Sequence, residues 1–238
     1  MGAGGFRSGA VLLGPGVRRA APRVSWGAAR RTDAPRLARM GADIDGVIET
    51  RETGGVWETE IDLLTFGLTR ERYAWECLFG NGGGLGVQRP LFDGRGLPDD
   101  LSEVARESIG DWEHSHTYAT WAEISAVDWD APLCDVPAYS VVGEWRPGPA
   151  GGLVFHDWLW LPAAVLDAAE ELFGEDLMPP EWPPGGEVAL HGAVYRPVVF
   201  TARMLAPPDG NWAPVWAAMA EQAAVYGDDN VRLVVWFG

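Results

Sequence analysis

Two pairs of residues carry the ligand chemistry this sequence could use. Asp43 and Asp45 lie two apart in a stretch whose alternation predicts a strand over 42–50. Their carboxylates then share one face with Val47 and Glu49, while Ile44, Gly46 and Ile48 take the other. His114 and His116 have the same spacing, and in extended backbone they share a face with Ser115 turned away. Two carboxylates and two imidazoles would suit Zn²⁺, Mn²⁺ or Fe²⁺, and an open coordination position would let the metal activate water. The plainer expectation makes Asp43 and Asp45 solvated strand residues, and His114 and His116 loop-fixing hydrogen-bond groups.

A second candidate is an anion pocket built on Arg89 and Arg95. Gln88-Arg89 and Gly94-Arg95-Gly96 lie in a glycine-rich stretch that runs into a predicted helix start, where unpaired N–H groups attract negative charge. Asp99 and Asp100 already occupy that helix end and would repel a phosphate, so the competing expectation is a surface loop with solvated arginines. Asn81-Gly82-Gly83-Gly84-Leu85-Gly86 is no dinucleotide fingerprint, because it follows a predicted helix rather than a strand.

Other catalytic patterns fail on spacing. Cys77 and Cys134 have no CxxC partner, and Cys77 reads as buried on a helix beside Leu78. There is no Gly-x-Ser-x-Gly elbow and no His-Glu-x-x-His helix. His156 and Asp157 are neighbours on a predicted strand, so they point to opposite faces and form no dyad. His191 says nothing alone. No catalytic residue and no cofactor is firmly implied.

The elements that must position these residues follow from periodicity and caps. Strands are expected over 42–50 and 56–62, joined by a Thr53-Gly54-Gly55 turn. Thr69 is expected to cap a helix through Phe79, ended by Gly80, and residues 80–98 to form a long loop. Asp99 is expected to cap a helix ending at Gly110, and Thr120 with Glu123 forms a capping box for another near 121–128. Strands over 138–146 and 153–160 flank a Pro/Gly turn, and a helix runs over 162–173. An irregular connection over 179–186 precedes a strand over 193–205. Asn211 is expected to cap a helix with Trp212, Val215, Trp216, Met219, Ala223 and Tyr226 along one face. Residues 231–237 are nearly all apolar, a strand buried on both faces. The pattern predicts α+β: a single domain, a mixed sheet with hairpins and a C-terminal strand–helix–strand unit whose return could be parallel or antiparallel. No internal repeat is visible, and most of the tryptophans are expected in the core and its rim.

Several of these segments resemble a family of small uncharacterised proteins from actinobacteria and their phages. The residues that carry the likeness are Met40-Gly41-Ala42-Asp43-Ile44-Asp45, Gly96-Leu97-Pro98-Asp99-Asp100, Asp111-Trp112-Glu113-His114-Ser115-His116-Thr117 with Trp121, and Val231–Phe237. The family's opening motif has a histidine where this chain has Asp45, and the resemblance implies no known activity.

Composition sets the outer bounds. The 238 residues hold 18 Lys+Arg, all of them arginine, against 34 acids, for a formal net charge of −16. Residues 1–39 are basic, with eight arginines against Asp33 alone; residues 40–238 are acidic, with ten against 33 acids. The leader lacks a periodic apolar face and is expected to be disordered. It reads as a transit segment, a basic arm, or an upstream stretch of a GC-rich reading frame with synthesis starting at Met40; the absence of lysine favours the last. The acidic body argues against a general nucleic-acid binder, and no apolar run reaches the ~20 residues of a membrane span. The expectation is a cytoplasmic accessory or interaction protein with a basic protein partner. The alternative is a small metal-dependent hydrolase using Asp43, Asp45, His114 and His116.

Overall fold

The computed structural model describes residues 43–68, 70–82 and 84–238, and Gly41–Gly238 is one compact unit. The expectations for residues 1–39 and for a cap at Thr69 lie outside the described residues. The fold is α+β, with six α-helices and two four-stranded sheets among the described residues. Sheet 1 has the order β2-β1-β8-β3, with β1 Ile44–Thr50, β2 Glu58–Asp62, β3 His114–Thr120 and β8 Val231–Phe237. Sheet 2 has the order β5-β4-β7-β6, with β4 Val141–Pro147, β5 Leu153–Trp160, β6 Val188–Leu190 and β7 Ala193–Pro197. Every pairing between these strands is antiparallel.

Strand β8 is buried at all seven positions because each of its faces meets a different core. Leu233, Val235 and Phe237 join Ile48 of β1 and Ala119 of β3 in the main core. Helices α1 (Arg72–Phe79) and α6 (Ala213–Tyr226) fill that core with Trp75, Leu78, Phe79, Val215, Trp216 and Met219. Phe79 meets Trp212 edge to face at 5.4 Å between centroids, and Trp212 stacks on Trp216 at 5.3 Å. Val234 and Trp236 face the other way, with Val47, onto Leu101 and Ala105. Those two come from α2 (Glu103–Ser108) and the turn before it. In sheet 2, α4 (Ala163–Phe173) covers Val142 and Val188 with Val165 and Ala169. Gly46 marks a close approach in β1, since a side chain there would strike Leu63 and the Val234 carbonyl.

Local chemistry explains where the elements begin and stop. The capping box at α3 (Trp121–Ser125) is present, with Thr120 and Glu123 reciprocally bonded. The expected cap at Asp99 is replaced by Ser102, which accepts from the Ala105 N–H at 3.2 Å. Its neighbour Asp100 binds Arg232 and Trp57. Asn211 does not cap α6 either: Trp212 takes that position and the Asn211 amide donates to Glu71. The long strand expected over 193–205 stops at Pro197, and Ala202–Leu205 form a short helix, α5. The closing strand, helix and strand are in place, but β7 and β8 lie in different sheets, so α6 carries the chain from one sheet to the other.

Candidate functional site

The four candidate metal ligands flank β8 from opposite sides. Asp45 of β1 stands opposite Trp236, and His114 of β3 stands opposite Phe237. Two inter-strand spacings, roughly 9.6 Å, therefore separate the two backbones. Asp43 accepts from the Arg70 guanidinium at 2.7 Å. The histidine pair does not keep the expected alternation: a bulge falls between His114 and Thr117, and Ser115 has φ 52°, in the left-handed region. His114 Nδ1 lies 2.9 Å from Ser115 Oγ in solvent, whereas His116 is half-buried and its Nε2 has no hydrogen-bond partner. Among the described residues, no group of three or more His, Cys, Asp or Glu side chains comes together to hold a metal ion.

The arginines proposed for an anion are already bound to carboxylates. Arg89 donates to Asp135 at 2.6 Å, and Arg95 to both oxygens of Glu123 at 2.8 and 3.0 Å. Burial pushes the Glu123 carboxyl up, but the Thr120 N–H and the Arg95 guanidinium outweigh it and hold the group below its usual range. The glycine-rich loop is organised by an anion of its own. Buried Glu76 on α1 accepts from the N–H groups of Leu85, Gly86 and Val87 at 3.0, 2.8 and 3.1 Å. Three successive amides turned onto one carboxylate are the geometry that binds free anions elsewhere. Beside it, burial and then the Glu76 charge push the Cys77 thiol up to about 12, which leaves it protonated and poorly nucleophilic at neutral pH.

Charge is also buried on the α2 side of sheet 1. Arg232, 3% exposed, donates to Glu49 Oε2 at 2.8 Å and to Asp100 Oδ1 at 2.6 Å. The other Glu49 oxygen accepts from the Ser102 N–H at 2.9 Å, so the fully buried carboxylate is satisfied on both sides. Trp57 lies under the Arg232 guanidinium at 3.9 Å and donates its indole N–H to Asp100 at 2.8 Å. Hydrogen bonding from Arg232, helped by its charge and by Trp57, holds the Asp100 carboxyl below the usual range against a modest cost of burial. With every charge matched, this lattice fastens the turn before α2 onto the sheet and offers no open position.

What the surface leaves open is acid and one strand edge. At least eight of the ten arginines in residues 43–238 contact a carboxylate: 51, 70, 89, 95, 146, 196, 203 and 232. Strand β2, one edge of sheet 1, exposes Glu58, Glu60 and Asp62 and carries a bulge. Strand β3, the other edge, is covered by the preceding loop, whose Gly96 N–H donates to the His116 carbonyl at 3.0 Å. In sheet 2, β6 has only three residues. Strand β5 has eight, and Leu153, Val154, Phe155 and Trp160 are all exposed. Three edges are thus charged, covered or short, and one is long and apolar.

The chain matches no protein-family model, no curated protein and no solved structure. Function must therefore come from the geometry. A shallow cleft of about 510 Å³ between Pro179, Trp182, Pro183 and Glu187 holds Arg196, which is bound to Glu187. Among the described residues no helix is long and apolar enough to cross a membrane. The Glu49–Arg232 pair escaped sequence reasoning because 183 residues separate its members. One signal was available: a lone arginine inside the apolar run Val231–Phe237 needs a buried acid.

Proposed function

We propose that the chain is a non-catalytic accessory protein, working inside a bacterial cell, that binds a basic protein partner. It would then belong with the small actinobacterial and phage proteins that its opening, middle and closing motifs resemble. The observation that supports the reading is the fate of the arginines. At least eight of ten are held by carboxylates, so few cations are left to meet an acidic ligand beside the excess of 33 acids over ten arginines in residues 40–238. Such a surface steers basic partners and repels acidic ones.

The test is a pull-down on immobilised full-length chain from its native host. Basic proteins should be captured fast at low salt, with the capture rate falling steeply towards physiological salt as the screening length shortens to about 8 Å. Retention of nothing at any salt would sink the reading, as would a captured set with no basic bias.

A further inference from the structure

The open edge of sheet 2 has a phase that fits one particular occupant. The Leu161 N–H donates to Ser140 at 2.9 Å, and the Gly148 N–H to Gly152 at 2.7 Å, bracketing the β4–β5 ladder. Bonded and non-bonded pairs alternate inward from each end. By that count Leu153 and Phe155 at one end, and Trp158 and Trp160 at the other, turn their backbone groups away from β4. The phase changes because β5 carries an extra residue, His156, where Glu144 pairs with Asp157 and Trp145 with Phe155.

In a regular edge strand the outward residues are all two apart, so two-fold pairing of identical strands sets a residue against itself or its like-phased neighbours. The bulge removes that restriction. If two copies of β5 meet antiparallel, Phe155 bonds opposite Trp158 of the second copy and Leu153 opposite Trp160. His156 then stands opposite Asp157, twice over. We propose that β5 pairs in this register with β5 of a second copy, about a two-fold axis between His156 and Asp157, joining two four-stranded sheets into one of eight strands.

Packing and charge both favour this occupant. Leu153, Phe155, Trp158 and Trp160 stand across from Pro147, Trp145, Gly143 and Val141, alternate residues of β4, and so share one face. Pairing lines them into a continuous aromatic ridge with Trp145, which already meets Phe155 edge to face at 5.4 Å. Asp157 stands opposite Glu144 within the chain, a like-charge pairing that Arg146, bound to Glu144, offsets in part. A second copy brings an imidazole to Asp157. In the single chain Asp157 instead accepts from the outward Trp158 N–H at 2.8 Å, shielding that donor until a carbonyl of the second copy replaces it. Asp157 is the only acid on the strand, against three on the edge strand β2, so like charge opposes pairing less at β5 than at β2.

Sedimentation velocity of the full 238-residue chain over a wide concentration range tests the pairing. A reversible dimer is expected. His156→Asp should weaken it about tenfold or more by setting acid against acid at two symmetric positions, and adding Asp157→His to the same chain should restore it. Leu153→Pro removes an outward N–H that the β4–β5 ladder does not use, so it should abolish the dimer while the circular dichroism and melting temperature stay near the parent values. A chain monomeric at every concentration overturns the proposal. So does a dimer indifferent to Leu153→Pro, or a charge swap that fails to rescue.

Discussion

Arg232 holds two acids from a site that water does not reach, which makes it the residue whose loss costs most. Replacing Arg232 with Met strands the Glu49 carboxylate without a counter-charge; replacing Glu49 with Gln leaves the guanidinium only the part-exposed Asp100. The first should lower the unfolding free energy in urea by about 3–5 kcal/mol, and the second by less, because Asp100 still neutralises Arg232. The double change Glu49→Leu with Arg232→Met should recover much of that loss, because a matched apolar pair costs no desolvation. Asp100 adds a pH signature. Its folded carboxyl sits below the unfolded value of about 3.9, so it stabilises the fold above that pH and ceases to as pH falls through the lowered folded value. The melting temperature of Asp100→Asn should therefore lie below the parent at neutral pH and converge with it in strong acid. The face assignment that put Glu49 with Asp45 was legible in the alternation of β1. That the face lies under α2 was not, since the chain supplying its cover sits some fifty residues away, at Leu101 and Ala105.

Among the elements, the glycine-rich loop depends most on a single side chain. Glu76→Ala would leave the amides of Leu85, Gly86 and Val87 without their acceptor, at a cost of about 1–3 kcal/mol for each one that water cannot reach. Hydrogen exchange should show those three amides losing protection first, ahead of any change in sheet 1. Elements with a local signature were readable: the α3 capping box, the β4–β5 hairpin across its Pro/Gly turn, the apolar β8. Strands β3 and β6 were not. The first holds His, Ser and Thr and is bent by Ser115; the second is three residues long and exists because β7 pairs with it. Two expected helix caps failed for different reasons: α2 starts later than Asp99, on Ser102, and the Asn211 amide turned to Glu71. The candidate ligands failed to converge because β8 lies between the two pairs, and sequence spacing carries no information about strand order.

At the scale of the molecule, the acidic surface and the apolar edge should respond to salt with opposite signs. Screening weakens attraction between the −16 chain and a basic partner, and it relieves repulsion between two copies of the chain. Raising salt from low to physiological should slow partner capture while tightening self-association. The two can be followed on one preparation by sedimentation with and without a basic ligand, and parallel trends would contradict one of the two assignments. The contrast between edges supports the same division, since charge at Glu58, Glu60 and Asp62 makes β2 a poor template for another strand.

The position of β8 also sets the order of events during synthesis. Residues 231–237 form an inner strand of sheet 1, hydrogen-bonded on one side to β1 and on the other to β3, both of which leave the ribosome long before it. Until β8 arrives, Ile48 and Ala119 have no strand between them, and Glu49 has no arginine. The nascent chain must carry two unclosed edges and an unmatched acid for most of its elongation, the exposure that recruits chaperones. Sheet 2 has no such wait: β4 through β7 are contiguous in the chain and complete before α6 begins. Sheet 2 can therefore form on the ribosome, while sheet 1 closes in a late step that a stall or a truncation before Val231 would prevent.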